Sequence, residues 1–528
     1  MIRKQITNQY SVSEQITLED VDTLAKAGVT LIICNRPDHE EEGQLSFSSI
    51  AERAKEKNIA AVHIPFVAGQ MEETTVEAFA QAISGANNIH AYCRTGNRSN
   101  LIWEATKTQA FNSQTNDMAI NQYDVVIVGA GSAGLSTAAS LLKRQPNARI
   151  CLIDPAENHF YQPGWTLVGG GVFKAEKTRR NMADIIPKNT KWLKESVKSF
   201  APDANTITLE NGQQIAYQFL VVAAGIKLNW DAIEGLSDTL GRNGVTSNYR
   251  YDLAPYTWEL VTNLDSGKAI FTQPPMPIKC AGAPQKAMYL SCDHWFKTDK
   301  QKDLNVSFYN AGGVLFGVSE YVPALENYIK KYEVETNFNH NLIKVDGPNR
   351  RAYFAAKDEN GDTITIETEF DMLHVCPPQC APDFIRNSPL VDDAGWVDVD
   401  KETLQHKSFP NIWSLGDVAN TPNAKTMAAA RKQAPVVAQN ISDAMQGRPI
   451  NAIYDGYGSC PLTVERGKIV LAEFGYGGKL LPTFPTWLND GTKPTKLAWI
   501  LKEDLLPPFY WYGMLKGHEW FVKPEMRK

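Results

Sequence analysis

Residues Tyr123 to Arg144 read YDVVIVGAGSAGLSTAASLLKR, an apolar strand-like run, a glycine turn and an amphipathic helix. Gly129, Gly131 and Gly134 hold the G-x-G-x-x-G positions, and Asp154 follows Gly134 by 20 residues, at the end of the next strand-like run, RICLIDP. Each glycine has its own physical task. The first allows a tight turn, the second lets backbone approach a pyrophosphate, and the third lets helix and strand pack closely. An acidic residue at this distance accepts from a ribose hydroxyl. The pattern predicts a dinucleotide-binding βαβ unit beginning at Tyr123.

At 528 residues the chain has room for three or four domains of roughly 150 residues each. Its net charge of -6 gives no electrostatic case for nucleic acid. The start, MIRKQITNQYSVSEQITLED, has no apolar signal region, and no run reaches the length of a spanning helix. Eight scattered cysteines do not form a secreted disulfide framework, so a cytoplasmic setting is expected.

Residues 1–107 alternate strand-like runs (Val29 to Cys34, Ala60 to Pro65, Ile89 to Tyr92) with helix-like runs (Leu18 to Lys26, Phe47 to Lys57, Thr75 to Ser84), as a small parallel α/β domain does. Residues 108–122 read as a polar linker. The dinucleotide domain takes 123–236 and returns at 385–450, with a strand ending in Gly416-Asp417 and a helix from about Thr426 to Met445. Between the two parts, 237–384 reads as a second Rossmann-like domain, and 451–528 as a segment of different composition.

Two later stretches select FAD. Phe219 to Gly225 resembles the hhhhATG strand of two-dinucleotide flavoproteins, with Ala224 in the threonine position. Ser414-Leu-Gly416-Asp417 resembles their second FAD fingerprint, in which the aspartate binds the ribityl chain. The inserted domain departs from a nicotinamide site. Where a second glycine loop belongs, between the strand-like Lys268 to Thr272 and a helix-like run from Pro284, the chain has a proline-rich turn and Cys280. A thiol in that place favours sulfur chemistry at a flavin over hydride delivery.

YQPGWTLVGGG (Tyr161 to Gly171), PIKCAGAPQKAMYL (Pro277 to Leu290), AGWVDVDKETLQH (Ala394 to His406), AKTMAAA (Ala424 to Ala430), YDGYGSCPL (Tyr454 to Leu462) and LAEFGY (Leu471 to Tyr476) occur in one order over about 400 residues. In these the chain resembles sulfide:quinone oxidoreductases of the mitochondrial-like type. The resemblance implies a disulfide beside FAD that HS⁻ opens, a flavin-side thiol (Cys280) that passes on two electrons, a persulfide emptied by a small thiol such as glutathione, and a quinone that reoxidises the flavin. It also implies that Lys286 and Lys425 lie near the flavin and quinone. The family usually places its second redox cysteine directly after the Gly-Asp pair, where this chain has Val418. Cys376 and Cys380, in a loop after a strand end, are the expected partners of Cys280 or of each other.

Cys93-Arg-Thr-Gly-Asn-Arg98-Ser99 follows a strand and precedes a helix, so backbone amides, the helix dipole and Arg98 favour a thiolate. The domain resembles the phosphatase-like domain fused to metallo-β-lactamase-type hydrolases, with Asn35-Arg-Pro-Asp38 in support. Its C-x4-R spacing is that of single-domain rhodaneses, one residue shorter than the C-x5-R of protein-tyrosine phosphatases. Cys93 therefore reads as a sulfur carrier, with phosphatase activity as the weaker option. Lys479 to Lys528 carries nine aromatics and eight Lys/Arg against five Asp/Glu, as an interfacial membrane anchor does. The fold class is thus α/β: a phosphatase-like domain, a two-Rossmann flavoprotein and a C-terminal membrane-contact segment. An NADH:quinone-type reductase and a non-enzymatic persulfide sensor remain as alternatives, and a homo-oligomer is left open.

Overall fold

The run Leu31-Ile-Ile-Cys34 is buried along its whole length, as a strand covered on both faces must be. It sits inside a five-stranded sheet ordered Lys4–Thr7, Tyr10–Ser13, Ile89–Tyr92, Leu31–Cys34, Ala60–His63. The first two strands form an antiparallel hairpin, and the remaining pairings are parallel. The helix Leu18–Lys26 starts at a capping box: Thr17 Oγ accepts from the Asp20 amide and the Asp20 carboxylate accepts from the Thr17 amide. The helices Phe47–Glu56 and Glu73–Ile83 complete the crossovers, and residues 97–106 are helical after the Cys93 loop. This is a computed structural model that describes residues 1–67, 69–106 and 122–527. The chain divides into two units, Met1–Asn121 and Gln122–Lys528. The expected linker lies outside the described residues except for Gln122, which opens a strand.

In the second unit, Gln122–Val128 lies between Ile150–Ile153 and Gln214–Val222, all parallel, with Thr190–Leu193 at one edge. Ile412–Ser414 pairs in parallel with the end of Gln214–Val222, so the late Gly416-Asp417 turn arrives beside the glycine turn. The helices Ser132–Arg144 and Met427–Met445 pack through small residues, Ala138 against the face of Ala430 and Ala434, in one core. The inserted part carries a parallel sheet ordered Val245–Thr246, Met372–His374, Gly267–Gln273, Leu304–Asn310, Glu335–Phe338, and a three-stranded antiparallel meander over Asn341–Asp346, Arg351–Lys357 and Thr363–Glu369.

The last part differs from a simple appended anchor. Gly458–Glu465 and Lys468–Phe474 form an antiparallel pair whose inward residues Cys460, Leu462, Val464, Val470 and Ala472 join the core of the inserted domain, against Ala287 and Met288 of the helix Ala283–Lys297. Each buried aliphatic side chain of this size contributes about 1.5–3 kcal/mol, which holds the hairpin to that helix. The terminal aromatics divide by exposure. Trp499 and Trp511 are 7% and 3% exposed, whereas Trp487 and Trp520 are 83% and 51% exposed. Among the described residues no helix is long and apolar enough to cross a membrane.

Candidate functional site

A Cβ at Gly129 would sit 2.4 Å from the Ala223 carbonyl oxygen, beside the Ala224 backbone, and one at Gly134 would sit 1.8 Å from the Gly129 carbonyl oxygen. Both glycines are therefore fixed by packing. A Cβ at Gly131 would meet nothing within 4 Å, and Gly131 borders a cavity of about 860 Å³. That open position at the N-terminus of the helix Ser132–Arg144 fits the pyrophosphate of a dinucleotide. Gly225, Gly416 and Asp417 line the same cavity. Asp154 accepts from the amides of Ala130 (2.7 Å) and Ala156 (2.8 Å). Burial raises its carboxyl above the ordinary range, against the pull of those amides. Burial also raises Asp417, opposed by the charges of Lys425 and Lys279. Lys425 Nζ donates to the carbonyls of Asp417 (2.7 Å) and Ala419 (2.8 Å) and lies 4.0 Å from the Trp396 ring centroid. Burial draws this lysine down to about 8.

Cys280 occupies the left-handed region, at φ 49°. Its amide donates to the Lys425 carbonyl (2.8 Å), and its carbonyl accepts from the Ala283 amide (2.7 Å) and the Tyr249 hydroxyl (3.3 Å). This turn aims Sγ at two partners: Cys460 Sγ at 4.0 Å and Lys286 Nζ at 3.0 Å. A Cβ at Gly282 would fall 2.6 Å from Cys460 Sγ, so glycine is what lets the second sulfur approach. The hydrogen bond from Cys460 and the charge of Lys286 hold the Cys280 thiol well below its ordinary range, although burial opposes them. Cys460, the donor of that bond, is raised. Burial acts to lower Lys286, but the adjacent Cys280 charge prevails and the ammonium is held more firmly. Lys502, also on the cavity wall, donates to the Pro461 carbonyl at 3.4 Å. Burial and the repulsion of Lys286 bring it down to about 7.

The expected partners of Cys280 are placed otherwise. Cys376 is buried among Tyr249, Ile278 and Ala283, with its Sγ 3.7 Å from the Gln379 amide nitrogen, and burial pushes its thiol up to about 12. Cys380 belongs to the two-residue strand Gln379–Cys380, held antiparallel to Lys227–Leu228. All eight cysteines are free thiols here, and the sulfur that meets Cys280 is Cys460. Val418, where the family usually places a cysteine, is buried in the core of the dinucleotide domain, which accounts for an aliphatic residue there. Cys460 was present in the quoted YGSCPL run. The available signal was its inward register in a strand that ends Leu-Thr-Val-Glu.

In the N-terminal unit the Cys93 loop closes on its own sulfur. The Gly96 amide donates to Cys93 Sγ at 3.1 Å. Burial acts to raise the thiol, but the amides of Ser99, Thr95, Arg98 and Gly96 outweigh it and leave Cys93 below its ordinary range. The Arg98 guanidinium donates to the Phe66 carbonyl (2.9 Å) and to Glu40 Oε2 (2.7 Å).

Residues 123–274 match the pyridine nucleotide-disulphide oxidoreductase family, and residues 3–110 match the phosphatase-like domain of β-lactamase hydrolase-like protein. With the glycine cradle and the paired sulfurs, this defines a flavoprotein oxidoreductase of the two-Rossmann, disulfide-reductase class carrying a phosphatase-like domain at its N-terminal side. The chain is 40% identical over 401 residues to the mitochondrial sulfide:quinone oxidoreductase of Mus musculus, covering 76% of this chain and 88% of that protein. It is 42% identical over 406 residues to the protein of the same name from Dictyostelium discoideum, again covering 76% and 88%. The chain belongs to the sulfide:quinone oxidoreductase family of enzymes, as the resemblance of its motifs implied. The solved sulfide:quinone oxidoreductase of the hyperthermophilic bacterium Aquifex aeolicus shares the fold, with a TM-score of 0.63 at 21% identity over 76% of this chain and 97% of that one. Both close relatives are named as mitochondrial, so the expectation of a cytoplasmic setting finds no support in them.

Proposed function

We propose that the second unit oxidises sulfide at the Cys280–Cys460 pair, with FAD in the cavity of residues 123–236 and 385–450, and passes the electrons to quinone. The carrying observation is the 4.0 Å approach of the two sulfurs with an ammonium 3.0 Å from one of them, Cys280 and Lys286 lying on the wall of the cavity that the glycine loop opens and Cys460 buried behind Cys280. In the oxidised enzyme the pair is a disulfide. HS⁻ attacks the Cys460 sulfur, the S–S bond breaks, and Cys460 keeps a persulfide while Cys280 leaves as a thiolate. Lys286 stabilises that leaving group. A small thiolate such as that of glutathione then attacks the outer sulfur and departs as a persulfide, leaving a thiolate on Cys460. The two thiolates re-form their bond by giving up two electrons. Bound FAD supplies the two-electron sink between the cysteine pair and quinone. Lys502, drawn down to about 7, can hold or release a proton at neutral pH beside the pair. Lys425 holds the carbonyls that follow Gly416 in place.

Exposed Trp487, Leu505, Tyr512, Trp520 and Phe521 support contact of the C-terminal part with a membrane surface, where a lipid-dissolved quinone resides. The amides gathered on Cys93 support a sulfur-carrying role for the first unit, with Cys93 receiving sulfane sulfur directly or from the small-thiol persulfide. Air-free titration of the purified protein with sulfide in the presence of a small thiol such as glutathione tests the central reading. Bleaching of the flavin band is expected in the wild type and not in Cys280→Ser or Cys460→Ser. Bleaching by NADH, with none by sulfide, would replace it with a nicotinamide reductase.

A further inference from the structure

The Cys93 loop holds an arrangement that a phosphate-binding loop does not need. Arg98, the residue whose fork would clasp an anion, is already engaged: one arm is on the Phe66 carbonyl at 2.9 Å, the other on Glu40 Oε2 at 2.7 Å, and the guanidinium also bonds the Cys93 sulfur. A second buried arginine, Arg36, donates from Nε to the same Glu40 oxygen at 2.8 Å, from one Nη to Glu41 at 2.7 Å and from the other to Gln15 Oε1 at 3.0 Å. The segment carrying Glu40 is braced. The Glu40 amide donates to Gln44 Oε1 (3.0 Å), whose Nε2 donates back to the Pro37 carbonyl (2.9 Å). The loop amides of Thr95, Gly96, Arg98 and Ser99 are turned onto the sulfur itself. Cys93 is 1% exposed, so a donor must present a narrow terminal atom to reach it.

We propose that Glu40 is the charge gate of the N-terminal thiol loop: clamped between Arg98 and Arg36, its carboxylate excludes phosphate-like dianions and leaves Cys93 to donors that present a terminal sulfur, namely low-molecular-weight persulfides. The inference rests on the reading of Cys93 as a sulfur carrier and names what makes it one. The charges support it. A dianion entering the loop meets a fixed carboxylate and an arginine already neutralised, and like charge opposed in a partly buried site suppresses the wrong ligand. A persulfide asks for neither arginine arm. In the transfer, the Cys93 thiolate attacks the outer sulfur of RS–SH. One S–S bond forms, the bond to R–S breaks, and RS⁻ leaves while the proton stays on the new Cys93 persulfide. No net oxidation occurs.

Calorimetry of FAD-loaded, full-length protein with tungstate as the oxyanion probe tests the gate. Wild type is expected to show no more binding than Arg98→Ala, and Glu40→Gln to bind tungstate at least about tenfold more tightly than wild type. Glu40→Ala carries the same expectation, so a folding defect peculiar to one substitution leaves the other to decide. Glu41→Gln, which touches Arg36 and not Arg98, should match wild type. Unchanged tungstate binding in both Glu40 variants would overturn the proposal. The underlying reading is measured separately, by the mass gain of one sulfur on Cys93 after exposure to glutathione persulfide. If tungstate binding rises in the variants while wild-type Cys93 takes up no sulfur, the gate stands and the carrier role falls. If Cys93 takes up sulfur and tungstate binding does not change, the carrier role stands and the gate falls.

Discussion

The chain holds two activated thiols and activates them by different means. Cys280 is held as a thiolate by a second sulfur and a full ammonium charge. Cys93 is held by four backbone amides, and the nearby Arg98, which also bonds this sulfur, has its charge offset by the Glu40 carboxylate. The first arrangement suits a group that must be expelled as an anion in every turnover, because a mobile charge can follow the proton. The second suits a group that waits for a sulfur atom, because amide dipoles do not titrate and the Glu40 carboxylate offsets the Arg98 charge. On the proposed reading, a thiol is given a redox duty or a carrying duty by whether its main stabiliser is a mobile charge or a peptide.

The largest effect expected from breaking this contrast is at the pair itself. Cys460→Ser should lower the rate of sulfide-driven flavin reduction at least about a thousandfold in air-free stopped flow, with Cys376→Ser and Cys380→Ser close to wild type. Loss of activity in Cys376→Ser of the same size would move the partner back to the 376–380 loop. Next comes the charge. Lys286→Met removes an ammonium that favours the ionised form of Cys280, so the thiol pKa rises and the acid limb of the pH–rate profile moves to higher pH, with about a 10- to 100-fold loss at pH 7.

Buried histidines give a third, smaller effect, on stability, and place one in each unit. Burial holds His90, which lies between Ser11 and Ser13, down at about 3, and does the same to His374. Because the unfolded chain takes up these protons near its ordinary value of about 6.5 and the folded chain does not, both contributions are present above that pH. They are lost progressively as pH falls toward about 3, by about 1.4 kcal/mol per pH unit for each group. Thermal melting of wild type against His90→Gln, read across pH 7 to 4, measures the first. The smallest effect separates the two thiols most cleanly: Arg98→Ala should move the Cys93 pKa by less than about one unit, read by thiolate absorbance on a variant lacking the other reactive cysteines. A larger shift would mean that charge, not amides, holds that sulfur.

Much of this architecture was legible because it is local. The glycine turn declares itself in six residues, Gly129 to Gly134. The run Ile89 to Tyr92 was expected as a strand and is one, and the helix Met427–Met445 begins one residue after its expected start. The approach of Cys460 to Cys280 was not legible because it depends on how a distant hairpin folds back onto the helix Ala283–Lys297, across 180 residues of chain. A loop after a strand end pointed instead to Cys376 and Cys380. That loop does pack near the thiol turn, but pairing of Gln379–Cys380 with Lys227–Leu228 takes one sulfur away and Gln379 and Tyr249 engage the other. Composition likewise marked the terminal aromatics as a surface anchor without saying which of them point inward. Trp499 and Trp511 do, through packing that only the assembled core defines.

The absence of a side chain at Gly282 leaves a slot one sulfur wide between the helix and the returning hairpin. A chain severed near residue 450 would keep the three glycines of its nucleotide turn but lose Cys460, and with it the first of the two groups that hold Cys280 ionised. On the proposed reading the carboxyl-terminal hairpin is a detachable electrode, and the enzyme becomes competent for sulfur only once this late-made segment has docked.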